Sequence, residues 1–435
     1  MKTNIIYIHS HDTGRYIQPY GHSVETPNLQ QLSEEGVLFR NVFCANPTCS
    51  PSRACLQTGM YANNNGMMGL AHLGWRLTDY NKTIINQLNI HEYETVLASF
   101  QHITQLDKKD ELGFKKDLAD DEGSTEDKAA EYIKSMADSD TPFYLDVAFQ
   151  ETHREFPDST GIINPDHCLP AAPFPDTAET RKDMADFKLM AKELDRKMGV
   201  VFQAVKDAGI EDKTLILATT DHGIAFPKMK CNLTDHGIGV FLIMKGPGVF
   251  SGGKCCDALI SQIDILPTIF DYVGLQRPNW VDGHSFLKSI DNDKKLHRDQ
   301  IYAELNFHVS EEPQRCVRSQ RYKYIRRYDG RNHSVLPNCD DSISKDFLLE
   351  KADWRQFNFD VEQFYDLFHD PYETNNIIDN DAYQTLIADH REQLDRWMQA
   401  NHDPLLSGPL KKVSGITLMD VNGLSPSTGE RIVYE

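Results

Sequence analysis

Short, unbroken apolar runs alternate with longer amphipathic stretches through the first two thirds of this chain. The run 4–8, Asn4-Ile5-Ile6-Tyr7-Ile8, has the pattern of a strand covered on both faces. Runs at 95–98, 142–149, 214–220 and 240–244 read the same way, with shorter strands at 37–39 and 42–43. Between them the apolar spacing lengthens to that of helices. Thr26-Pro27 opens one, with Pro in the first turn and Leu29 and Leu32 on its inner side. The stretch 84–88 is helical, and Ser124-Thr125-Glu126-Asp127 starts another helix by capping-box logic, with Ala130, Ile133 and Ala137 in step. Over 184–205, Phe187, Ala191, Leu194, Met198 and Val205 share one side of a long amphipathic helix that Gly209 ends. A further helix starts at 264–270, and the charged stretch 107–121 reads as a solvated excursion. Strand, helix, strand in this rhythm predicts an α/β fold with a large, mostly parallel central sheet flanked by helices.

Near residue 295 the rhythm breaks. The stretch 315–328 is basic and aromatic, with a strand at 322–325; 330–360 is polar and loop-rich; a helix follows over about 381–400. We therefore expect a catalytic α/β domain over 1–295 and a smaller C-terminal α+β domain over 296–435. The basic run 315–327 reads as a solvated strand, because nothing else in the chain supports a nucleic-acid patch.

Composition narrows the partners. The 435 residues carry a net charge of −20, which argues against nucleic acid or an anionic membrane. No run reaches the ~18 apolar residues that a membrane helix needs. The first strand begins at Asn4, which leaves no room for a leader, and nine irregularly spaced cysteines suit free thiols in a reducing cytosol. A cytoplasmic location is the expectation; oligomerisation stays open. An acidic chain that handles a small anion needs concentrated positive charge at its site, from a metal ion together with Arg or Lys.

Candidate chemistry gathers at strand ends. His11-Asp12 follows the first strand, His102 the strand at 95–98, His153 the strand at 142–149, and Asp221-His222 the strand at 214–220. In open α/β sheets, ligands collect beyond the carboxyl ends of the strands. Asp12, Asp221, His222 and His11 could hold one divalent cation; if both histidines bind, Mn²⁺ or Zn²⁺ suits the set better than Ca²⁺. The polar loop 63–70 either lines a pocket or is a plain surface turn. The densest signal is Cys49-Ser50-Pro51-Ser52-Arg53, running on to Leu56 and Thr58-Gly59. A helix from Ser52 would aim free amides at Cys49, and Arg53 would favour anionic forms there. By chance, Cys-x-Pro-Ser-Arg occurs in about one chain in several hundred.

That string resembles the signature of type I sulfatases, in the alkaline-phosphatase superfamily. The resemblance spans nearly the whole chain, including Tyr365-Asp366-Leu367 and Asp370-Pro371. It is strongest toward the heparan N-sulfatase branch, through Asn65-Gly66-Met67, Asp221-His222-Gly223-Ile224 with Phe226-Pro227, and His402-Asp403-Pro404. It implies a sulfohydrolase whose Cys49 is oxidised to formylglycine by a maturation enzyme, with one bound cation, Ca²⁺ in the family. The hydrated aldehyde would be the nucleophile and Arg53 its anchor; Lys230, His102 and His153 would bind the sulfuryl group, and one histidine would protonate the leaving group. The substrate would be a sulfated sugar, such as an N-sulfoglucosamine. Two positions depart from the family: His11 stands for an aspartate and Phe100 for a lysine. They motivate two alternatives, a phosphodiesterase or phosphonate monoester hydrolase of the same superfamily, and a non-catalytic sulfoglycan-binding relative.

Overall fold

The computed structural model describes residues 3–119, 121–291 and 297–435. An eight-stranded sheet forms the centre. Across it run Lys116–Asp117, Glu94–Leu97, Phe143–Ala148, Asn4–Ser10, Thr214–Thr220, Leu242–Lys245, Val37–Phe39 and Lys254–Cys256. Neighbours pair in parallel, except that Leu242–Lys245 runs against both strands beside it. Asn4–Ser10 is buried at every position, as its unbroken apolar run requires. Alternation sends Ile5 and Tyr7 into one apolar cluster and Ile6 and Ile8 into the other.

Helices cover both faces. Thr125–Ser135 and the long helix Ala178–Asp207 pack on the Ile6 face, through Ala129, Ile133, Leu194, Met198 and Val201. On the Ile5 face lie Cys49–Thr58, Ile84–Ile90 and Ile265–Val273, with Leu56, Ile85 and Ile269 inward. The long helix begins at Ala178, ahead of the expected 184, because a capping box between Thr177 and Thr180 starts it before any apolar stripe appears. Within the supposed excursion 107–121, Lys116–Asp117 forms an edge strand; its exposed side chains give no alternation to read, and the pairing is made by backbone alone.

The C-terminal sheet is antiparallel, in the order Gln300–Phe307, Glu311–Ser319, Tyr322–Arg327, Glu362–Asp366. Helix Gln384–Ala400 covers one face, setting Ile387, Leu394 and Trp397 on Val317, Tyr324 and Phe364. From the other face Ile301, Leu305 and Ile325 join the cluster that holds Ile5 and Tyr7, so the small sheet shares a core with the large one. The boundary expected at 295/296 falls outside the described residues. In the loop-rich stretch 330–360 a helix, Ile343–Lys351, is capped by Ser342 but has only a weak apolar side.

The basic strand is not solvated. Arg315 and Lys323 are fully buried, and Arg318 and Arg327 nearly so. Each is neutralised: Arg315 by Asp403 at 2.5 Å, Lys323 and Arg318 by Asp235, Arg327 by Glu312. Asp403 and Asp235, the partners of Arg315, Arg318 and Lys323, sit more than eighty residues away in sequence, so local composition could not show the burial. Among the described residues no helix is long and apolar enough to cross a membrane, and all nine cysteines are free.

Candidate active site

Parallel register brings the strand ends together. Ser10 pairs with Thr220, so His11-Asp12 and Asp221-His222 emerge side by side. The Asp12 amide donates to Asp221 Oδ1 at 2.9 Å, and Asp12 itself takes a left-handed φ of 50°. Asp and Asn tolerate that conformation better than most residues. His102 and His153 arrive from the two strands on the other side, and both rings meet the His11 ring edge-on, at 5.7 and 5.4 Å between centroids.

Cys49 is the first residue of helix Cys49–Thr58, after an extended Thr48; the helix starts ahead of the expected Ser52. Pro51 fits the first turn, where no intrahelical N–H is needed. The whole helix is buried, and its Ser52 hydroxyl donates to the Asp221 carbonyl at 2.5 Å. Cys49 Sγ lies 3.4 Å from His222 Nε2. The expected nucleophile therefore stands against one of the residues expected at the metal site.

Four carboxylate and imidazole groups crowd this point. His222 Nε2 is 3.3 Å from Asp12 Oδ1 and 3.7 Å from Asp221 Oδ2; His11 Nδ1 is 3.1 Å from Asp221 Oδ2. Ligand-type atoms of His11, Asp12, Cys49 and Asp221 all lie within 4.8 Å of one another. Asp12 Oδ1 is buried without a hydrogen-bond partner. Unmet buried polar atoms are costly unless something satisfies them, and a small cation placed among these does so. The donor set fits a divalent ion.

Two cations of the protein frame the cluster. Lys230 pairs with Asp12 at 2.9 Å and with Asp340 at 3.0 Å. Arg53 donates to the Ser10 carbonyl and to Asp221 Oδ2, each at 3.0 Å, and to His9 Nδ1. Because His9 Nδ1 accepts, its proton sits on Nε2, which faces Asp146 Oδ1 at 2.8 Å. A buried Asp146–His9–Arg53–Asp221 chain thus holds the arginine.

The thiol is not activated as expected. Burial pushes the Cys49 thiol well up, the Asp12 and Asp221 carboxylates add to this, and Lys230 and Arg53 offset only part. A plain cysteine here stays protonated and is a weak nucleophile. Burial opposes ionisation of Asp221, yet His222, Arg53 and His11 together hold its carboxyl well below the usual range. Burial, reinforced by Arg53 and His72, brings His102 down to about 3, and burial with Arg53 also lowers His11.

Phe100 and His11, the two departures from the family, touch. Their rings stack at 5.2 Å with an interplanar angle of 11°, and the Arg53 guanidinium lies 5.8 Å from the Phe100 centroid. The loop 63–70 does not need the pocket reading: buried Asn65 spends its amide on Thr58, Met60 and Met67 of its own turn. Besides Asp146, three residues escaped the sequence reading. His72 Nδ1 sits 3.4 Å from His102 Nε2. Asp340 pairs with Lys230 from a stretch with no strand end to mark it. His308 is buried, with Nδ1 unpartnered, and feels Lys230, Asp340 and His222. It follows strand Gln300–Phe307 of the antiparallel C-terminal sheet, a strand the sequence reading did not predict and to which the strand-end rule for α/β sheets does not apply.

Comparisons with known proteins agree with this geometry. The family described as Sulfatase matches residues 3–275, and the one described as N-sulphoglucosamine sulphohydrolase, C-terminal, matches residues 229–342. An ulvan-active sulfatase of Formosa agariphila is 26% identical, over 92% of this chain and 76% of its own. The N-sulphoglucosamine sulphohydrolase of Homo sapiens is 25% identical, over 93% of this chain and 92% of its own. Among solved structures, a 2-O GAG sulfatase superposes with a TM-score of 0.71 at 22% identity, covering 94% of each chain. With the family matched over most of the chain and the site assembled at the strand ends, the protein belongs to the sulfatase family and is a sulfuric ester hydrolase.

Proposed function

We propose that this hydrolase cleaves a sulfate ester or sulfamate on a sulfated sugar of the N-sulfoglucosamine kind, with formylglycine made from Cys49 as its nucleophile. The observation that carries the reading is Cys49, buried at a helix start, 3.4 Å from His222 and surrounded by polar groups. Those surroundings suit the hydroxyls of an aldehyde hydrate better than a thiol whose ionisation burial opposes. The human and Formosa relatives carry names that point to sulfated glycans, which supports the substrate class.

His11, Asp12, Asp221 and His222 would hold one divalent cation, of the Mn²⁺ or Zn²⁺ type given two imidazoles, though Ca²⁺ is the family's choice. When bound, it supplies Lewis-acid stabilisation of the sulfuryl oxygens. Arg53, fixed through His9 and Asp146, holds Asp221 and faces the nucleophile's position with a fixed positive charge. Lys230 supplies the second fixed charge for the substrate's anion, shared with Asp12 and Asp340. His153, or His102, gives a proton to the departing oxygen or nitrogen. His102 is neutral near pH 7 before substrate arrives, since burial has pulled it to about 3; the incoming sulfate monoanion would raise its proton affinity.

A phosphodiesterase or phosphonate monoester hydrolase is the second reading, favoured by the imidazole of His222 beside Asp12. Paired assays on an aryl sulfate and an aryl phosphate diester, with Mn²⁺ or Ca²⁺ added, separate the two. Faster sulfate release supports the proposal; turnover confined to the diester rejects it.

A further inference from the structure

His102 and His153 are the two candidates for proton transfer, and the surroundings of His102 tie it to the nucleophile. A ring nitrogen of His102, Cys49 Sγ and a ring nitrogen of His11 all lie within 4.8 Å of one another. His102 Nε2 is engaged, 3.4 Å from Nδ1 of His72. His102 Nδ1 is buried with no hydrogen-bond partner, which leaves that nitrogen for the group at position 49.

The two imidazoles meet as a hydrogen bond, not as a stack. Their planes are 7° apart, yet their centroids are separated by 5.6 Å. That separation exceeds the N···N distance by about two ring radii, so the rings lie edge to edge in nearly one plane, where an N–H of one aims along the lone pair of the other. His72 is exposed. The pair is therefore a two-ring bridge from the buried cluster to solvent, and among the described residues the His102 ring has no other hydrogen-bond partner.

The loop that carries His72 is held in place on three sides. It forms a short 3₁₀ turn, Ala71–Leu73, and the Ala71 amide donates to the Ser50 hydroxyl at 3.0 Å, one residue from Cys49. Gly74 closes the turn with a left-handed φ of 102°, and a Cβ there would meet the Gly415 carbonyl oxygen at 2.4 Å. Next, buried Trp75 packs on Phe307 with 4.7 Å between ring centroids. A surface histidine with no task needs no such anchoring, whereas a relay needs a fixed donor–acceptor distance.

We infer that His72 is the proton exit of the site, the relay through which a proton taken by His102 from the group at position 49 reaches solvent. The inference rests on the formylglycine reading above and deepens it. Each turnover has to return the hydrate carbon to an aldehyde: the electrons of its remaining O–H bond become the second bond of C=O, the C–O bond to sulfate breaks, and one proton is left over. His102 Nδ1 takes that proton and passes its own Nε2 proton to His72 Nδ1, so the buried ring never keeps both. His72, now an imidazolium, gives a proton to water. His153 is then the donor to the departing oxygen or nitrogen.

The test uses the full, aldehyde-bearing chain carrying His72→Ala, with thermal unfolding as the check on its fold. On an aryl sulfate, kcat should fall about tenfold or more, toward the ~10²–10⁴ that a whole acid–base group supplies. The slowed step follows departure of the phenol, so a burst of phenol should precede the slow phase and kcat/KM should stay within about twofold. Added imidazole, free to enter at an exposed position, should restore kcat. No fall in kcat, a fall without the burst, or a fall that imidazole leaves in place overturns the relay. A second readout needs no turnover: with nitrogen-labelled histidines and unconverted Cys49, the His102 Nε2 resonance should move on His72→Ala to the position of an unbonded ring nitrogen. An unmoved resonance overturns the relay even in a preparation that hydrolyses nothing. Absence of sulfate release from the unsubstituted chain, with that resonance moving as expected, rejects the hydrolase mechanism and leaves the hydrogen-bonded pair standing.

Discussion

Lys230 carries opposed duties at the residue scale. It neutralises Asp12 and Asp340 at once, and no other lysine is shown in contact with the cluster. Lys230→Met should lower kcat/KM for an aryl sulfate by ~10²–10³, the usual cost of one charge-assisted contact in the transition state. Thermal unfolding of the variant checks that the fold survives. The stacked pair His11 and Phe100 invites a different change. Phe100→Lys would set a cation against that imidazole and near Arg53, so weaker metal binding is the expected result, read by calorimetry with Mn²⁺. Cys49, Arg53 and the strand-end pairs His11-Asp12 and Asp221-His222 were legible because each stands in a local pattern. Asp340 was not: its role comes from a 3.0 Å contact across a sequence separation that no periodicity records.

At the element scale, strands with an unbroken apolar run announced themselves, and Lys116–Asp117 could not, having only backbone to offer. The basic strand Glu311–Ser319 shows why composition misled. Arg315 is solvated in the unfolded chain but fully buried in the fold, where Asp403 accepts its hydrogen bonds at 2.5 and 3.1 Å. Asp403→Ala leaves that charge only the longer 3.7 Å contact with buried Glu304 and should cost roughly 3 kcal/mol in denaturant unfolding. A second joint ties helix Ile265–Val273 to the C-terminal sheet. Buried Asp264 pairs with Arg298 and His297 just ahead of strand Gln300–Phe307. Burial raises its pKa, but Arg298 and His297 win, holding it at about 2 against an ordinary 3.8. A depressed carboxyl stabilises the fold above its unfolded value and loses that contribution as pH falls. Stability should therefore drop between about pH 4 and pH 2, by ~2 kcal/mol from this group. Asp264→Asn should flatten that part of the stability curve measured by urea unfolding.

For the whole molecule, the electrostatic problem posed by a net charge of −20 is met locally. Yet Lys230 and Arg53 are each tied to carboxylates, so the protein's own cations leave little surplus positive charge for a substrate anion. Chelation should accordingly abolish turnover, with Mn²⁺ restoring it better than Ca²⁺. A metal present at 100 times its Kd should also stabilise the fold by about 2.7 kcal/mol, visible as a rise in Tm. The broad architecture followed from the apolar rhythm, whereas the shared core of the two sheets depends on Ile301, Leu305 and Ile325 reaching the Ile5 face, which only the folded chain displays.

Quantitative peptide mass spectrometry at position 49, paired with sulfate release by the same preparations, bears most directly on the mechanism. Samples made with and without a formylglycine-generating enzyme should show a specific activity that rises in proportion to the fraction of residue 49 found as aldehyde and falls to background when all of it is thiol. Full activity from a wholly unmodified Cys49, or none from a wholly converted and metal-loaded chain on any sulfate ester or sulfamate, would contradict the account.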